Sequence, residues 1–243
     1  MKKSMAMRLS VMLCAVLLAT LLAGYALAQP PSSVIPAPRE EKDWMARHNA
    51  MNERVKKGNV DLIFIGDSIT QGWEGPGKDT WQKYYEKRNT VGLGISGDGT
   101  QQVLWRLDNG NIDGISPKLA VVMIGTNNSK DNTAEEIAAG IEAIVKKLRE
   151  KLPHTKVLLL AVFPREEKPG ELRGKLAKTN EIVSRLADGK MIHFLDIGPR
   201  FLEKDGTIPK SIMPDALHPN SKGYEIWADA IEPKVVELMG EKK

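Results

Sequence analysis

The chain has 243 residues, 27% of them charged, and a formal charge of +4 at neutral pH. Lys2, Lys3, Arg8 and the only cysteine, Cys14, all fall in the first 28 positions, and without that segment the charge is +1 and no thiol remains. These numbers exclude a basic nucleic-acid footprint, a disulfide framework and a cysteine nucleophile, so stability has to come from an ordinary core.

Met1 to Ala28 reads as a secretory signal. Lys2, Lys3 and Arg8 form a positive start, Val11–Leu22 a short apolar stretch, and Ala26-Leu27-Ala28 a small-x-small cleavage site. The apolar stretch is short for a membrane span and no second one follows, so no stable membrane insertion is expected after cleavage; an uncleaved anchor is the alternative. Leu22-Ala23-Gly24 is followed by Tyr25, which cannot be acylated as a lipoprotein cysteine would be. Gln29–Arg39, rich in Pro and Ser, is expected to be a solvated tether. Residues 40–243 are then one domain, long enough for a sizeable core.

From Glu40 onward, apolar runs of strand length alternate with amphipathic stretches of helical length. Glu41–Lys57 is an expected helix. The expected strands are Asp61–Ile65, Thr90–Ile95, Leu119–Ile124, Lys156–Val162 and Met191–Ile197, each nearly continuous in Val, Ile and Leu, as parallel strands buried on both faces are. Gln101–Leu107 reads as helical, and Thr133-Ala-Glu-Glu136 is a capping box opening a helix that Pro153 ends. Gly170–Ala187 and Lys222–Met239 complete the helices. Strand–helix alternation predicts an α/β sandwich whose ligands sit beyond the carboxyl ends of the strands.

The segments after the strands carry the candidate chemistry. The first strand runs into Gly66-Asp67-Ser68, where a serine at a strand-to-helix turn can expose both its hydroxyl and its N–H; alone, the tripeptide also fits ordinary N-cap chemistry. Thr70 stands where a Gly-x-Ser-x-Gly elbow would need glycine. The second strand ends in Gly92-Leu-Gly94-Ile-Ser-Gly97. This formally matches a dinucleotide fingerprint, but it follows the wrong strand, and the next strand ends in Gly125-Thr-Asn127-Asn128 without the acidic residue that holds a ribose. The N–H groups of Ser68 and Gly97 and the side chain of Asn127 could together form an oxyanion hole. Both latter segments also read as plain turns.

Asp215-Ala-Leu-His218 precedes the last helix. That spacing can set a carboxylate against one imidazole nitrogen and leave the other to face a serine. Of the four histidines, only His218 has an acidic residue so placed; His48, His154 and His193 lie before the first strand, in a turn and within a strand. The histidines are scattered and form no His-Glu-x-x-His, so neither a metal nor another cofactor is expected. Trp73, Trp81, Tyr84 and Tyr85 follow the serine turn and could line an acyl or sugar pocket, though aromatics at such spacing are more often core residues, the reading favoured for Trp81 and Trp105.

Gly66-Asp67-Ser68, Gly97, Gly125-x-Asn127 and Asp215-x-x-His218 resemble, in order and approximate spacing, the four blocks of the SGNH (GDSL) hydrolase superfamily. Gly97–Leu107, Gly125–Asn128, Thr133–Ile137 and Pro164–Pro169 are similar to the catalytic subunits of platelet-activating factor acetylhydrolase. The likeness runs from Asp61 to Met239. It implies a flavodoxin-like three-layer sandwich with a five-stranded parallel sheet of order 2-1-3-4-5, and ester hydrolysis through an acyl-serine. It also implies Ser68 as nucleophile, His218 as base, Asp215 as its orienter, and an oxyanion hole of Ser68, Gly97 and Asn127. Ser96 replaces a glycine common in those relatives, which are cytosolic. Export therefore favours a small ester or acylated carbohydrate, acetyl above all, as substrate. The alternatives are a lysophospholipase, thioesterase or broad arylesterase, and outside the enzymes a flavodoxin-like binding module. No nucleic acid is implied, and the oligomeric state stays open.

Overall fold

The computed structural model describes residues 29–242, so the secretory signal expected at 1–28 lies outside the described residues. Five parallel strands, β1 (Leu62–Gly66), β2 (Thr90–Gly94), β3 (Leu119–Met123), β4 (Lys156–Leu160) and β5 (Ile192–Leu195), form one sheet of order β2-β1-β3-β4-β5. The strand order and flavodoxin-like layering expected from the resemblance are thus present. β1 lies inside the sheet: Leu62 pairs with Thr90 on one side and Leu119 on the other.

Before the sheet comes α1 (Lys42–Lys56), and α2 (Ser68–Gln71) is a single turn continuing from β1. Because successive side chains in a strand point to opposite faces, the apolar runs supply two cores at once. Ile63, Ile65, Ala120, Val122, Val157 and Leu159 face one side. Leu62, Phe64, Leu119, Val121, Met123 and Leu158 face the other, against α3 (Lys78–Tyr84) and α7 (Ser221–Met239). The first face meets α1 together with α4 (Thr100–Asp108), α5 (Ala134–Lys151) and α6 (Glu171–Val183). Thr133 caps α5 as expected: its Oγ1 accepts from the Glu136 N–H, and the Glu136 carboxylate accepts from the Thr133 N–H at 2.9 Å. Trp73 and Tyr85 are buried in the α3–α7 core, edge-on to each other and packed about Phe64 and Trp227.

The Pro- and Ser-rich segment corrects the sequence reading. Rather than a solvated tether, residues from Ser32 on form a strap seated on the domain. Ser33 is fully buried, its Oγ donates to the Glu136 carbonyl at 2.6 Å, and its carbonyl accepts from Thr100 Oγ1 at 2.7 Å. A Cβ at Gly140 would lie 2.7 Å from the Ser33 carbonyl, so this contact requires glycine there. Ala37 N–H donates to the Gln101 carbonyl, and Arg39 Nη1 to the Ser96 carbonyl. Composition reports how little such a segment bonds to itself; it carries no information about acceptors waiting a hundred residues away.

Candidate active site

β1 delivers the serine. A Cβ at Gly66 would sit 2.4 Å from the Met123 carbonyl and 2.1 Å from Thr70 Oγ1, so only glycine lets α2 turn back so tightly. Asp67 is the N-cap, its Oδ1 accepting from the Ile69 N–H at 2.9 Å. Ser68 is then the first helical residue, and its N–H has no acceptor among the described residues. Its hydroxyl lies 2.9 Å from His218 Nε2.

His218 is held by a turn just before α7. The Asp215 Oδ2 lies 2.6 Å from His218 Nδ1, while Oδ1 accepts from the N–H groups of Leu217 at 3.1 Å and His218 at 2.7 Å. This pattern puts the ring proton on Nδ1 and leaves Nε2 to accept from the Ser68 hydroxyl. Ala216 adopts a left-handed backbone (φ 57°) to allow the turn, and its carbonyl accepts from the Glu166 N–H. Partial burial would raise the Asp215 carboxyl, but the hydrogen bonds from His218 and Leu217 outweigh it and hold the group below its ordinary value.

Gly97 and Asn127 come together in the wall of one small cavity. Gly97 has φ 83°, a conformation that suits glycine, and its N–H has no acceptor among the described residues. Asn127 Nδ2 donates to the Asp98 carbonyl at 2.8 Å, which fastens the post-β3 loop to the post-β2 loop. The second N–H of that amide is left over. The structure therefore brings Ser68 to His218, His218 to Asp215, and Asn127 to the Gly97–Asp98 turn.

Beneath them lies a charged pair that sequence reasoning missed. Arg106 and Asp98 are both fully buried, with Arg106 Nε 2.8 Å from Asp98 Oδ2. The other Asp98 oxygen accepts from Trp44 Nε1 at 2.6 Å. Arg106 also donates to Asn111 Oδ1 at 2.6 Å and to the Gly66 carbonyl at 3.2 Å. One guanidinium thus joins the serine turn to the Gly97 turn. Burial raises the Asp98 carboxyl and lowers the Arg106 guanidinium from their ordinary values, each partly offset by the other's charge. Arg165 was likewise unassigned; its Nη1 donates to the Thr126 carbonyl at 3.0 Å and Ser129 Oγ at 3.2 Å, bracing the Asn127 loop from the segment after β4. An arginine in the segment after a strand, or one about two helical turns from an acidic loop, was the available signal.

Asp67 differs from its neighbours. It is fully buried, and its Oδ2 has no hydrogen-bond partner among the described residues. Burial pushes its carboxyl up to about 7, opposed by the Ile69 N–H and reinforced by the Asp98 charge. A cavity of about 570 Å³ lies at the β2 edge, lined by Trp73, Trp81, Arg47 and Glu74 among others, and shares none of the five candidate site residues. A smaller one, about 270 Å³, includes Gly97 and Asn127 in its wall. Among the described residues no group of His, Cys, Asp and Glu is arranged to hold a metal, and no helix is long and apolar enough to cross a membrane.

A serine, histidine and aspartate so linked above a five-stranded parallel sheet fit the SGNH class of hydrolases. Residues 64–226 match the GDSL-like lipase/acylhydrolase family model. The chain is also 37% identical over 215 residues to platelet-activating factor acetylhydrolase IB subunit alpha1 of Homo sapiens, covering 87% of this chain and 92% of that one. It is 38% identical over 202 residues to the alpha2 subunit of Rattus norvegicus, covering 82% and 86%. The chain belongs to the GDSL-like lipase/acylhydrolase family and is a carboxylic-ester hydrolase. Solved structures share the fold. A GDSL-like lipase from Bacteroides thetaiotaomicron matches with TM-score 0.64 at 23% identity, over 81% of this chain and 97% of that one. A catalytic mutant of an acetylxylan esterase from Geobacillus stearothermophilus matches with TM-score 0.58 at 20% identity, over 76% and 96%. Est24, a carbohydrate acetylesterase from Sinorhizobium meliloti, matches with TM-score 0.58 at 19% identity, over 74% and 100%.

Proposed function

We propose that this chain is an exported serine esterase that removes short acyl groups, acetyl above all, from carbohydrate esters through an acyl-serine intermediate. The observation that carries the reading is the 2.9 Å contact between Ser68 Oγ and His218 Nε2, with Asp215 2.6 Å behind the ring. His218 takes the hydroxyl proton as Ser68 attacks the ester carbonyl, and Asp215 steadies the imidazolium that forms. The oxyanion is received by the N–H groups of Ser68 and Gly97 and the Asn127 amide. His218 then returns the proton to the departing alcohol, and a water activated by the same ring releases the acid.

Export rests on the Met1–Ala28 signal, and the acetyl preference is supported by relatives named as acetylhydrolases and acetylesterases. The 37% identity to platelet-activating factor acetylhydrolase subunits favours a second reading, in which the acetyl group leaves a phospholipid. Labelling with a fluorophosphonate tests the chemistry: the reagent should attach to Ser68, and an unlabelled wild type refutes it. A panel of acetyl, butyryl and octanoyl nitrophenyl esters tests the acyl preference, and strong turnover confined to octanoyl would overturn it.

A further inference from the structure

The cavity of about 270 Å³ beside Gly97 and Asn127 is walled by Ser32 and Arg39 of the strap, by amide side chains from the start of α4, and by amides and the Asp131 carboxylate of the segment after β3; no aliphatic or aromatic side chain lines it. Its hydrogen-bonding capacity divides into two tiers. The deeper amides are spent on one another: Asn128 Nδ2 donates to Gln101 Oε1 and Asn132 Oδ1, its own Oδ1 accepts from the Thr100 N–H, and Asn132 Nδ2 reaches Ser32 and Glu136. The outer groups are not. Gln101 and Gln102 use only their oxygens, accepting from Asn128 and from the Gly99 N–H, so both Nε2 groups remain as donors. The Asp131 carboxylate is exposed and has no side-chain partner among the described residues, and Asn127 keeps one N–H.

We infer that this cavity is the subsite for the hydroxyl-bearing part of the substrate, a neutral sugar ring, with Gln101, Gln102 and Asp131 as its binding residues. The inference rests on the esterase reading above and narrows its substrate. An acyl chain is excluded because an alkyl group laid against these amides would desolvate donors without replacing their partners. A quaternary ammonium headgroup would find no aromatic face. An anion would meet the unneutralised Asp131, while the Arg39 charge is already matched by Glu41 at 2.7 Å. A ring of hydroxyls, each both donor and acceptor, fits two amide donors and one carboxylate acceptor spaced around a small polar hollow. The strap supplies part of this wall, so the segment that composition marks as a tether helps to form the subsite.

Gln101→Glu and Gln102→Glu keep the oxygens that accept from Asn128 and Gly99 while removing the free donors, and Asp131→Asn removes the charge from an exposed side chain. Each variant is assayed on acetylated xylo-oligosaccharides and on 4-nitrophenyl acetate. The ratio of kcat/KM between the two substrates should fall about tenfold, carried by KM for the sugar, as expected for one lost hydrogen bond to a hydroxyl. A ratio that stays at the wild-type value overturns the assignment. As a second readout, acetylated xylo-oligosaccharide is titrated into Ser68→Ala and into Ser68→Ala/Asp131→Asn; binding weakened only in the latter supports the subsite, and equal binding overturns it. A wild type that labels at Ser68 and cleaves 4-nitrophenyl acetate but not the acetylated sugar refutes the subsite and leaves the esterase reading standing. Failure to label at Ser68 refutes both.

Discussion

Replacing Asp67 with asparagine should make the protein's stability less dependent on pH. In the folded protein the carboxyl is fully buried, has one unpartnered oxygen, and titrates at about 7 against an ordinary value of 3.8. Because the folded pKa is the higher one, the folded state holds the proton more tightly than the unfolded chain. The resulting stabilisation is complete below about pH 4, declines as pH rises, and is gone above about pH 7. Linkage at about 1.4 kcal/mol per pH unit gives a loss of about 2–3 kcal/mol between pH 5 and pH 8 from this group. The substituted amide keeps an oxygen for the Ile69 N–H and cannot ionise, so the Asp67→Asn protein should lack that decline. Urea unfolding of both proteins at pH 5, 6, 7 and 8 measures it, with the difference between the two slopes isolating the one carboxyl. Parallel stability curves would refute the argument, because they would mean Asp67 ionises freely where it sits.

The remaining expectations concern the site and its support. Ser68→Ala and His218→Ala should each abolish turnover of 4-nitrophenyl acetate while the thermal midpoint stays near that of the wild type; large unfolding in both would instead assign them structural roles. Asn127→Ala should lower kcat by about 10²- to 10³-fold, read in steady-state kinetics, if its spare N–H meets the oxyanion. Asp98→Asn should cost about 3–5 kcal/mol in denaturant unfolding, since it strands the buried Arg106 charge. Adding Arg106→Met should then cost less than the two single changes summed, and strict additivity would show that the pair is not coupled.

The parts of this molecule that were legible in sequence are those written in local pattern. β1 and β3 are buried at every position, so their apolar runs are unbroken, and the Thr133–Glu136 box is a signal complete within four residues. The candidate triad was readable because each member follows a strand or precedes a helix, where an α/β sheet exposes side chains. What escaped depends on distant partners. Arg106 looks like one basic residue on an amphipathic helix until Asp98, Asn111 and the Gly66 carbonyl surround it. The strap escaped for the same reason, since its anchors are Glu136, Thr100 and Gln101. α3 is only seven residues long, with one strong apolar anchor in Trp81, and its periodicity is too brief to register.

The hydrogen bond between Ser68 and His218 spans 150 positions of sequence. On the mechanism proposed above, a chain emerging from synthesis therefore carries its nucleophile long before it carries its base. On that mechanism the serine is activated only once α7 docks on the sheet and brings His218 to it. Such distant contacts form late, after the entropy of closing so long a loop has been overcome. Ester turnover is accordingly a reporter of completed folding, and the half-made chain is harmless to any ester around it.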